Sequence, residues 1–262
     1  MGNAAVAAAR VALIAVPGIP LIQPGDDLAS ILIEGIRASG HAPRDRDVLV
    51  VAQKIVSKAE GRYRRLDEVT PSPRAREIAR ESHKDARLVE VILSESVEVL
   101  RCKRDVLIAE HRLGFIMANA GVDQSNIDHA DGVERVLLLP ADPDASCRAL
   151  KRRLDAHFGA AFGVIINDSF GRAWRNGVVG VALGAAGLPS LVDMVGEPDL
   201  FGRTLRVTQI ALADEIAAAA SLVMGQAAER QPAVLVHGLD WGDRTESSVR
   251  ALIRPKELDL FR

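Results

Sequence analysis

The stretch Val97–Ala109 has the sequence VEVLRCKRDVLIA and decides the fold class. Its two apolar runs, Val97–Leu100 and Val106–Ala109, flank a polar Cys-Lys-Arg-Asp segment, a pattern that predicts an antiparallel hairpin. Phe115–Ala118 is a candidate third strand beside it. A doubly wound sheet alternates strands with helices, so this hairpin favours an α+β fold with mixed, largely antiparallel sheets and flanking helices.

Short apolar runs and helical periodicity occur on both sides of the hairpin. Further strands are predicted at Val11–Val16, Asp47–Val51, Arg135–Leu139, Val164–Asn167 and Ala233–Val236. Helices are predicted from Asp26 or Asp27 to Gly40, from Pro71 to about Ser96, at Asp144–Phe158 and at Gln209–Met224. The sequence shows no repeat and no strong domain boundary.

The composition excludes several classes of protein. The chain has 262 residues, with a net charge of -2 and 3% aromatic residues, which argues against a nucleic-acid-binding protein. Two cysteines without a CxxC pair make a thiolate zinc site or a disulfide framework improbable. The most apolar stretch, Ala4–Val16, contains Arg10 and is too short to span a membrane. We therefore expect a cytoplasmic protein without nucleic-acid or membrane partners.

Two segments place oxygen ligands where a cation could bind. Val164–Gly171 is an apolar strand that delivers Asp168 and Ser169 at its end, and hard cations bind this pairing of carboxylate and hydroxyl. Gly121–Asn126 carries Asp123 and Asn126 on a turn, where an Asx turn or a helix cap is the structural alternative. From the residues alone, both interpretations stay open.

Basic residues follow two of the predicted strands. Lys54 and Lys58 are four positions apart and would face one phosphate if Gln53–Arg62 is helical; two solvated surface lysines are the alternative. The segment after Ser169 carries candidate substrate-binding residues, which suit an anionic ligand or an ordinary surface loop: Arg172, Arg175 and Asn176. Glycines at 177, 180, 184 and 187 would either allow close packing or cradle a ligand. No P-loop or Rossmann motif is present.

In their order along the chain, these motifs resemble the coenzyme F420-0:L-glutamate ligase family, from about Val16 to Trp241. The segments that carry the resemblance are GIPLIQPGDDL (18–28), VSKAEGR (56–62), ANAGVDQSNI (118–127), NDSFGRAWRNGVVGVALGAAG (167–187) and LVMGQAAERQPAVLVHG (222–238). The resemblance implies one ligase domain over residues 1–242 with a tail at 243–262, in an intertwined homodimer. Some members are fused to a reductase-like domain for which this sequence has no room, so we expect the stand-alone ligase or a ligase half that is supplied separately.

The activity implied by the resemblance is a GTP-driven ligation. The terminal carboxylate of coenzyme F420-0 receives the γ-phosphoryl group of GTP, and the amine of L-glutamate attacks this acyl phosphate. Two divalent ions, Mn²⁺ or Mg²⁺, with K⁺ as a further candidate, are the implied cofactors. A relative that acts on another amino acid or on a modified deazaflavin precursor is one alternative. A nucleotide- or deazaflavin-binding protein without catalysis is another.

The resemblance also implies the roles of individual residues. Asp123 and Asp168 are implied ligands of a first metal ion, and Ser169 and Gln226 lie at a second. With Lys58, which meets the phosphates, the two aspartates form the implied catalytic set. The implied GTP contacts are Ile19, Pro20, Leu21, Ile22, Gln53, Lys58, Asn126, Met224, Gly225, Gln226, Ala227, Ala228, Glu229, Arg230 and Gln231. Gln53 stands where family members carry a small hydroxyl residue.

Overall fold

The structure, a computed structural model, describes residues 10–127 and 131–259. Its strands are β1 (Ala12–Ala15), β2 (Val48–Ala52), β3 (Tyr63–Arg65), β4 (Ser96–Lys103), β5 (Val106–His111), β6 (Ile116–Ala118), β7 (Arg135–Leu137), β8 (Gly163–Arg172), β9 (Arg175–Ala186), β10 (Val192–Asp193), β11 (Gln209–Ile210) and β12 (Ala233–His237). Its α-helices are α1 (Leu28–Ala38), α2 (Gln53–Ala59), α3 (Pro73–Ser82), α4 (Ala86–Ser94), α5 (Pro143–Phe158) and α6 (Leu212–Met224). Short 3-10 helices lie at Leu66–Glu68, Asn119–Gly121, Val249–Leu252 and Lys256–Leu258.

A mixed sheet in the order β1-β12-β2-β8-β9 forms the centre of the molecule. Strands β2 and β8 are parallel, and the other neighbours in this sheet are antiparallel. Residues Val48–Val51 of β2 are completely buried, because this strand lies in the middle of the sheet and helices α1, α5 and α6 contribute to the same core. The α+β class is thereby confirmed.

The hairpin predicted at Val97–Ala109 is present as β4 and β5, with β6 as its third strand. This sheet packs with α3 and α4 over a second core that includes Ile78, Val89 and Leu107. The predicted helix from Pro71 to Ser96 is in fact two helices. His83 adopts a left-handed conformation with φ of 56° and ends α3, and Asp85 caps α4 by accepting a hydrogen bond from the Arg87 N–H.

Two other boundaries differ from the prediction. The strand predicted at Val164–Asn167 extends to Arg172, because its outer half pairs with β9 in a long hairpin. The polar residues after Asn167 lack the alternating apolar pattern by which a strand is predicted, so only this pairing reveals it. The last long helix begins at Leu212 rather than Gln209, since Gln209 and Ile210 pair with β10.

Three of the four glycines in the series, Gly180, Gly184 and Gly187, are closely packed, whereas a Cβ atom on Gly177 would meet nothing within 4 Å. A Cβ atom on Gly180 would lie 2.5 Å from the Ala217 carbonyl oxygen of α6, and one on Gly184 would lie 2.6 Å from the Pro143 carbonyl oxygen of α5. These positions therefore support the packing interpretation.

The segment 243–259 lies against the same body. Ser190 donates a hydrogen bond to the Ser247 carbonyl at 2.7 Å, and the side chain of Val249 is buried. Within the described ranges, the helices are all too short or too polar to cross a membrane.

Candidate active site

Four of the sequence motifs meet at one edge of the central sheet. The register pairs Ala15 with Val234, Val51 with Ala233, and Ala52 with Asn167, so β1 and β2 end where β12 begins. Backbone hydrogen bonds extend this alignment: the N–H of Val16 donates to the Ala233 carbonyl and that of Ala52 to the Pro232 carbonyl. The loops 16–27 and 225–232, the start of α2 and the outer half of β8 therefore border one site.

Strand β8 presents Asp168 and Ser169 at this edge. The strand is fully buried up to Asn167, and Asp168 is its first partly buried residue. Between Asn167 and Ile166 the register with β9 shifts by one residue, a bulge of the kind that redirects side chains. The Ser169 hydroxyl donates a hydrogen bond to the Gln226 side-chain oxygen at 2.6 Å. Two residues predicted to share a metal ion, 57 positions apart, are thus in contact.

Helix α2 holds the loop that carries Asp123. The Lys54 ammonium lies 2.8 Å from Asp123 Oδ2 and donates to the Ser125 hydroxyl at 2.5 Å. One turn later, Lys58 Nζ donates to the Asn126 carbonyl at 2.7 Å. Both lysines therefore face the same loop, as their spacing predicts for a helix. Lys58 and Asn126, both predicted site residues, are brought together here.

The Asx turn considered as an alternative for Asp123 is also present. Asp123 Oδ1 accepts a hydrogen bond from the Ser125 N–H at 2.7 Å. The backbone of Asp123 pairs with Leu137 through two hydrogen bonds, which anchors the loop to the end of β7. A local turn thus positions the carboxylate, and the structural and functional interpretations do not exclude each other.

The two aspartates differ in their electrostatic environment. Burial favours a raised pKa for Asp123, but hydrogen bonds from Lys54 and Ser125 outweigh it and hold this pKa below its usual value. Burial raises the pKa of Asp168 to about 6, and the negative charge of Asp123 also raises it. The hydrogen bond from the Ser169 N–H and the positive charge of Lys54 lower this pKa but do not outweigh the rise. The two carboxylates are therefore near enough to repel each other.

This arrangement fits a hard divalent cation. The predicted donors are oxygen atoms of Asp123, Asp168, Ser169 and Gln226, which is the ligand type that Mg²⁺ and Mn²⁺ prefer. A carboxylate in a partly buried site beside a second carboxylate carries negative charge that Lys54 compensates only in part. A bound cation would remove that repulsion, so the residues present suit the predicted metal.

The predicted nucleotide-contact segments differ in exposure. Leu21 is 74% exposed, whereas Ile22 is buried at the base of its loop. In the second segment Met224 is buried and residues 226–231 are exposed. Glu229 accepts a hydrogen bond from the Ala227 N–H at 2.7 Å, which stabilises the turn after Gly225. Each segment thus presents part of its length at the site.

Gln53 and Asn167 are buried polar residues near the site. The Gln53 side chain is buried, and its oxygen accepts a hydrogen bond from the Ser57 hydroxyl at 3.0 Å within α2. Asn167, to which sequence reasoning gave no role, donates to the Ser221 hydroxyl and to the Met224 sulfur. Within residues 10–127 and 131–259, its buried side-chain oxygen has no hydrogen-bond partner. A polar residue at the end of a buried strand was the signal that could have identified it.

Lys54 is the second residue that received no individual role from the sequence, although it was considered with Lys58.

The predicted substrate residues Arg172, Arg175 and Asn176 lie at the exposed tip of the β8–β9 hairpin. Arg172 follows Asp168 by four positions, or about 13 Å along an extended strand. The structure does not bring these three residues together with the carboxylates.

Comparison with known proteins identifies the family. The model of the F420-0:Gamma-glutamyl ligase family matches residues 18–238. The chain is 49% identical over 253 residues to the coenzyme F420:L-glutamate ligase of Methanothermobacter thermautotrophicus, covering 96% of this chain and 99% of that protein. It is 47% identical to the Methanopyrus kandleri protein of the same name, over 92% of this chain and 93% of that protein. It is 44% identical to the Archaeoglobus fulgidus protein of the same name, over 97% of each chain. The resemblance is thereby confirmed, and the chain belongs to the F420-0:gamma-glutamyl ligase family, a family of ligase enzymes.

Proposed function

We propose that this enzyme joins L-glutamate to coenzyme F420-0 through an amide bond, at the expense of GTP. Family membership supports the ligation of glutamate to F420-0. The observation that carries the proposal is that Ser169 contacts Gln226, and that Asp168 is close enough to Asp123 to feel its charge, at the edge where the two predicted nucleotide segments lie. Oxygen ligands for cations and exposed loops for a nucleotide are the two requirements of a phosphoryl-transfer site.

The proposed reaction has two steps. A carboxylate oxygen of F420-0 attacks the γ-phosphorus of GTP, and GDP leaves with the electron pair of the broken bond. The amine of glutamate, after losing a proton, then attacks the acyl carbon, and inorganic phosphate leaves as the amide forms. Continued addition through γ-linkages would extend the product by the same chemistry.

The protein groups act by orientation and charge. When bound, the divalent cations would supply neutralisation of the phosphate oxygens. Asp123 and Asp168 would hold one of them, and Ser169 with Gln226 the other. Lys58 is the proposed phosphate contact, and Lys54 keeps the Asp123 loop on α2. Because phosphoryl transfer depends on positioning and electrostatics, no protein nucleophile is required.

Base recognition is the finer part of the proposal. The chain contains no NKxD motif, so selection of guanine would depend on backbone groups of 19–22 and 224–231. Ile22 is buried and Met224 packs on Asn167, which gives both segments a rigid base. If ATP supports ligation as well as GTP, the guanine preference is wrong and the ligase proposal stands.

Mass spectrometry of the reaction products is the direct test. Enzyme, F420-0, GTP, Mn²⁺ and L-glutamate should yield a product heavier than F420-0 by one glutamyl residue or more, with one GDP and one phosphate per bond. Reactions that lack GTP or glutamate serve as controls. Phosphate release without a heavier product, or no turnover with any precursor, would contradict the ligase and favour a binding protein. Turnover only with another amino acid would identify the related ligase.

A further inference from the structure

A group of side chains of the types that bind metal ions lies at the opposite edge of the central sheet from the candidate active site. It consists of His41, Asp47 and His237, whose ligand atoms all lie within 4.8 Å of one another. Asp47 precedes β2 and His237 ends β12. At the active-site edge Ala52 pairs with Pro232, and Asp47 and His237 each lie five positions from these residues along the two strands. Five residues of strand correspond to about 16 Å, which separates this group from the active site.

The three side chains already converge on one point. Asp47 Oδ2 lies 2.9 Å from His41 Nε2, and Asp47 Oδ1 lies 2.7 Å from His237 Nδ1. The two imidazole rings contact edge to face, with centroids 4.9 Å apart. Zinc bonds of about 2.0–2.2 Å place neighbouring ligand atoms roughly 3–4 Å apart, so shifts on the order of 1 Å would suffice.

The charge of Asp47 gives a reason for a cation here. The carboxylate is 2% exposed, and among the described residues its ion-pair partners are the two histidines. Asp47 Oδ2 also accepts a hydrogen bond from the Arg44 N–H at 3.1 Å. Hydrogen-bond donors or a positive charge can stabilise a buried carboxylate, and a metal ion bound by both imidazoles would supply that charge. Two imidazoles and one carboxylate are a ligand set for zinc and similar borderline ions, unlike the all-oxygen set at the active site.

We infer that His41, Asp47 and His237 bind a zinc-class divalent cation, with the fourth position open to solvent. His41 lies in the loop between α1 and β2, whereas His237 ends β12, 190 positions from Asp47. The bound ion would therefore join a loop to two central strands. No described residue of the candidate active site belongs to this group, so the ion would be separate from the proposed ligation chemistry.

Histidine NMR with zinc tests this inference directly. The full chain, cleared of metal by a chelator and held in millimolar Mg²⁺ to occupy the oxygen site, is titrated with Zn²⁺. One equivalent should shift the imidazole nitrogen signals of His41 and His237 among the chain's six histidines and raise the unfolding temperature. Zinc that shifts neither signal would overturn the inference.

Variants make the site assignment specific. His237→Gln should weaken zinc binding by at least about 100-fold, more than the loss of an outer-shell partner costs. His157→Gln, on the exposed face of α5, should bind zinc as the wild type does. If His41→Gln does not fold, His237→Gln alone decides. Unchanged affinity in His237→Gln contradicts the site, whereas ligase activity in Mg²⁺ should be unchanged in this variant. Zinc binding thus succeeds or fails independently of the proposed ligation.

Discussion

Among the candidate metal ligands, Asp168 has the pKa that differs most from its ordinary value. It accepts a hydrogen bond from the Ser169 N–H, whereas the nearby Lys54 ammonium forms its ion pair with Asp123. Among the described residues, the Asp168 carboxylate therefore forms no ion pair of its own, and burial raises its pKa to about 6. A residue in this state is poised to exchange a proton for a metal ion.

Replacement of Asp168 by asparagine should abolish most of the ligation. The variant keeps the shape of the side chain but loses its charge. We therefore expect the rate of ligation to fall by about 100- to 1,000-fold, the typical effect of removing one group that stabilises the charge of the transition state. Phosphate release that depends on glutamate and precursor measures this. Asp67→Asn, which removes a surface ion pair with Arg65, is the control and should retain activity. A near-normal rate in Asp168→Asn would refute the metal-site assignment.

The metal-free enzyme should lose stability as the pH rises through 6. The pKa of Asp168 in the folded state lies near 6, above the ordinary value of 3.8 for an aspartate, so the folded state holds the proton more tightly. The associated stabilisation is complete below pH 3.8 and is lost as the pH rises through 6. Between low pH and pH 7, the free energy of unfolding of Asp168→Asn should therefore rise relative to that of the wild type by at most about 3 kcal/mol.

Urea unfolding of both proteins between pH 4.5 and 7 measures that difference. Mn²⁺ should stabilise the wild type at pH 7 more than at pH 5, because the cation competes with the proton, and should not do so in the variant. A difference between the proteins that does not change with pH would show that Asp168 titrates normally.

At the level of elements, the β8–β9 hairpin connects the core to the site. Its inner half belongs to the central sheet, and its outer half carries Asp168 and Ser169 beyond the buried region. Gly180 on β9 pairs with Ser169 and lies directly against α6. The close approach of the β9 backbone to α6 therefore helps to determine where Asp168 and Ser169, the predicted metal ligands, lie.

Gly180→Ala should disturb this contact. The added Cβ would meet the Ser221 hydroxyl at 2.2 Å and the Ala217 carbonyl at 2.5 Å, and the backbone of α6 cannot yield cheaply. We expect a loss of about 1–3 kcal/mol in the free energy of unfolding, typical of overpacking, with weaker metal binding. Gly171→Ala is a matched control in the same hairpin, since its Cβ would meet nothing within 4 Å. Equal stability of both variants would argue against close packing at Gly180.

At the scale of the whole molecule, one surface segment exposes large apolar side chains. Leu200 and Phe201 are each 92% exposed and Val207 is 87% exposed, all between β10 and β11. A cluster of such residues on one segment is typical of an interaction surface. The homodimer predicted by the family resemblance would give them a partner.

We therefore predict a dimer that depends on this segment. Light scattering at micromolar concentration should give twice the chain mass of 28.1 kDa. The double variant Leu200→Ser with Phe201→Ser should shift the protein toward the monomer, because it removes two apolar contacts. Val97→Ser, which alters a 67%-exposed residue of β4, is the control. A clean monomer of the wild type would exclude the dimer.

The sequence by itself determined the local elements. Apolar periodicity and turn or capping residues act over a few positions, and they account for three elements. These are the hairpin at Val97–Ala109, the buried strand β2 and the helix that Asp27 caps. The motifs also identified the family, because their order is specific. Asp26 and Asp27 were both candidate caps, and the structure selects Asp27, whose carboxylate accepts the Ser30 N–H.

Only the tertiary structure decided how distant residues meet. The strand pairing that extends β8 to Arg172, the contact of Ser169 with Gln226 and the ion pair of Lys54 with Asp123 join segments far apart in the chain. No local pattern encodes such contacts, because they depend on sheet order and register. The raised pKa of Asp168 and the convergence of His41 and His237 on Asp47 have the same origin. Burial and charge proximity are properties of the folded chain, so they exist only once the central sheet has formed.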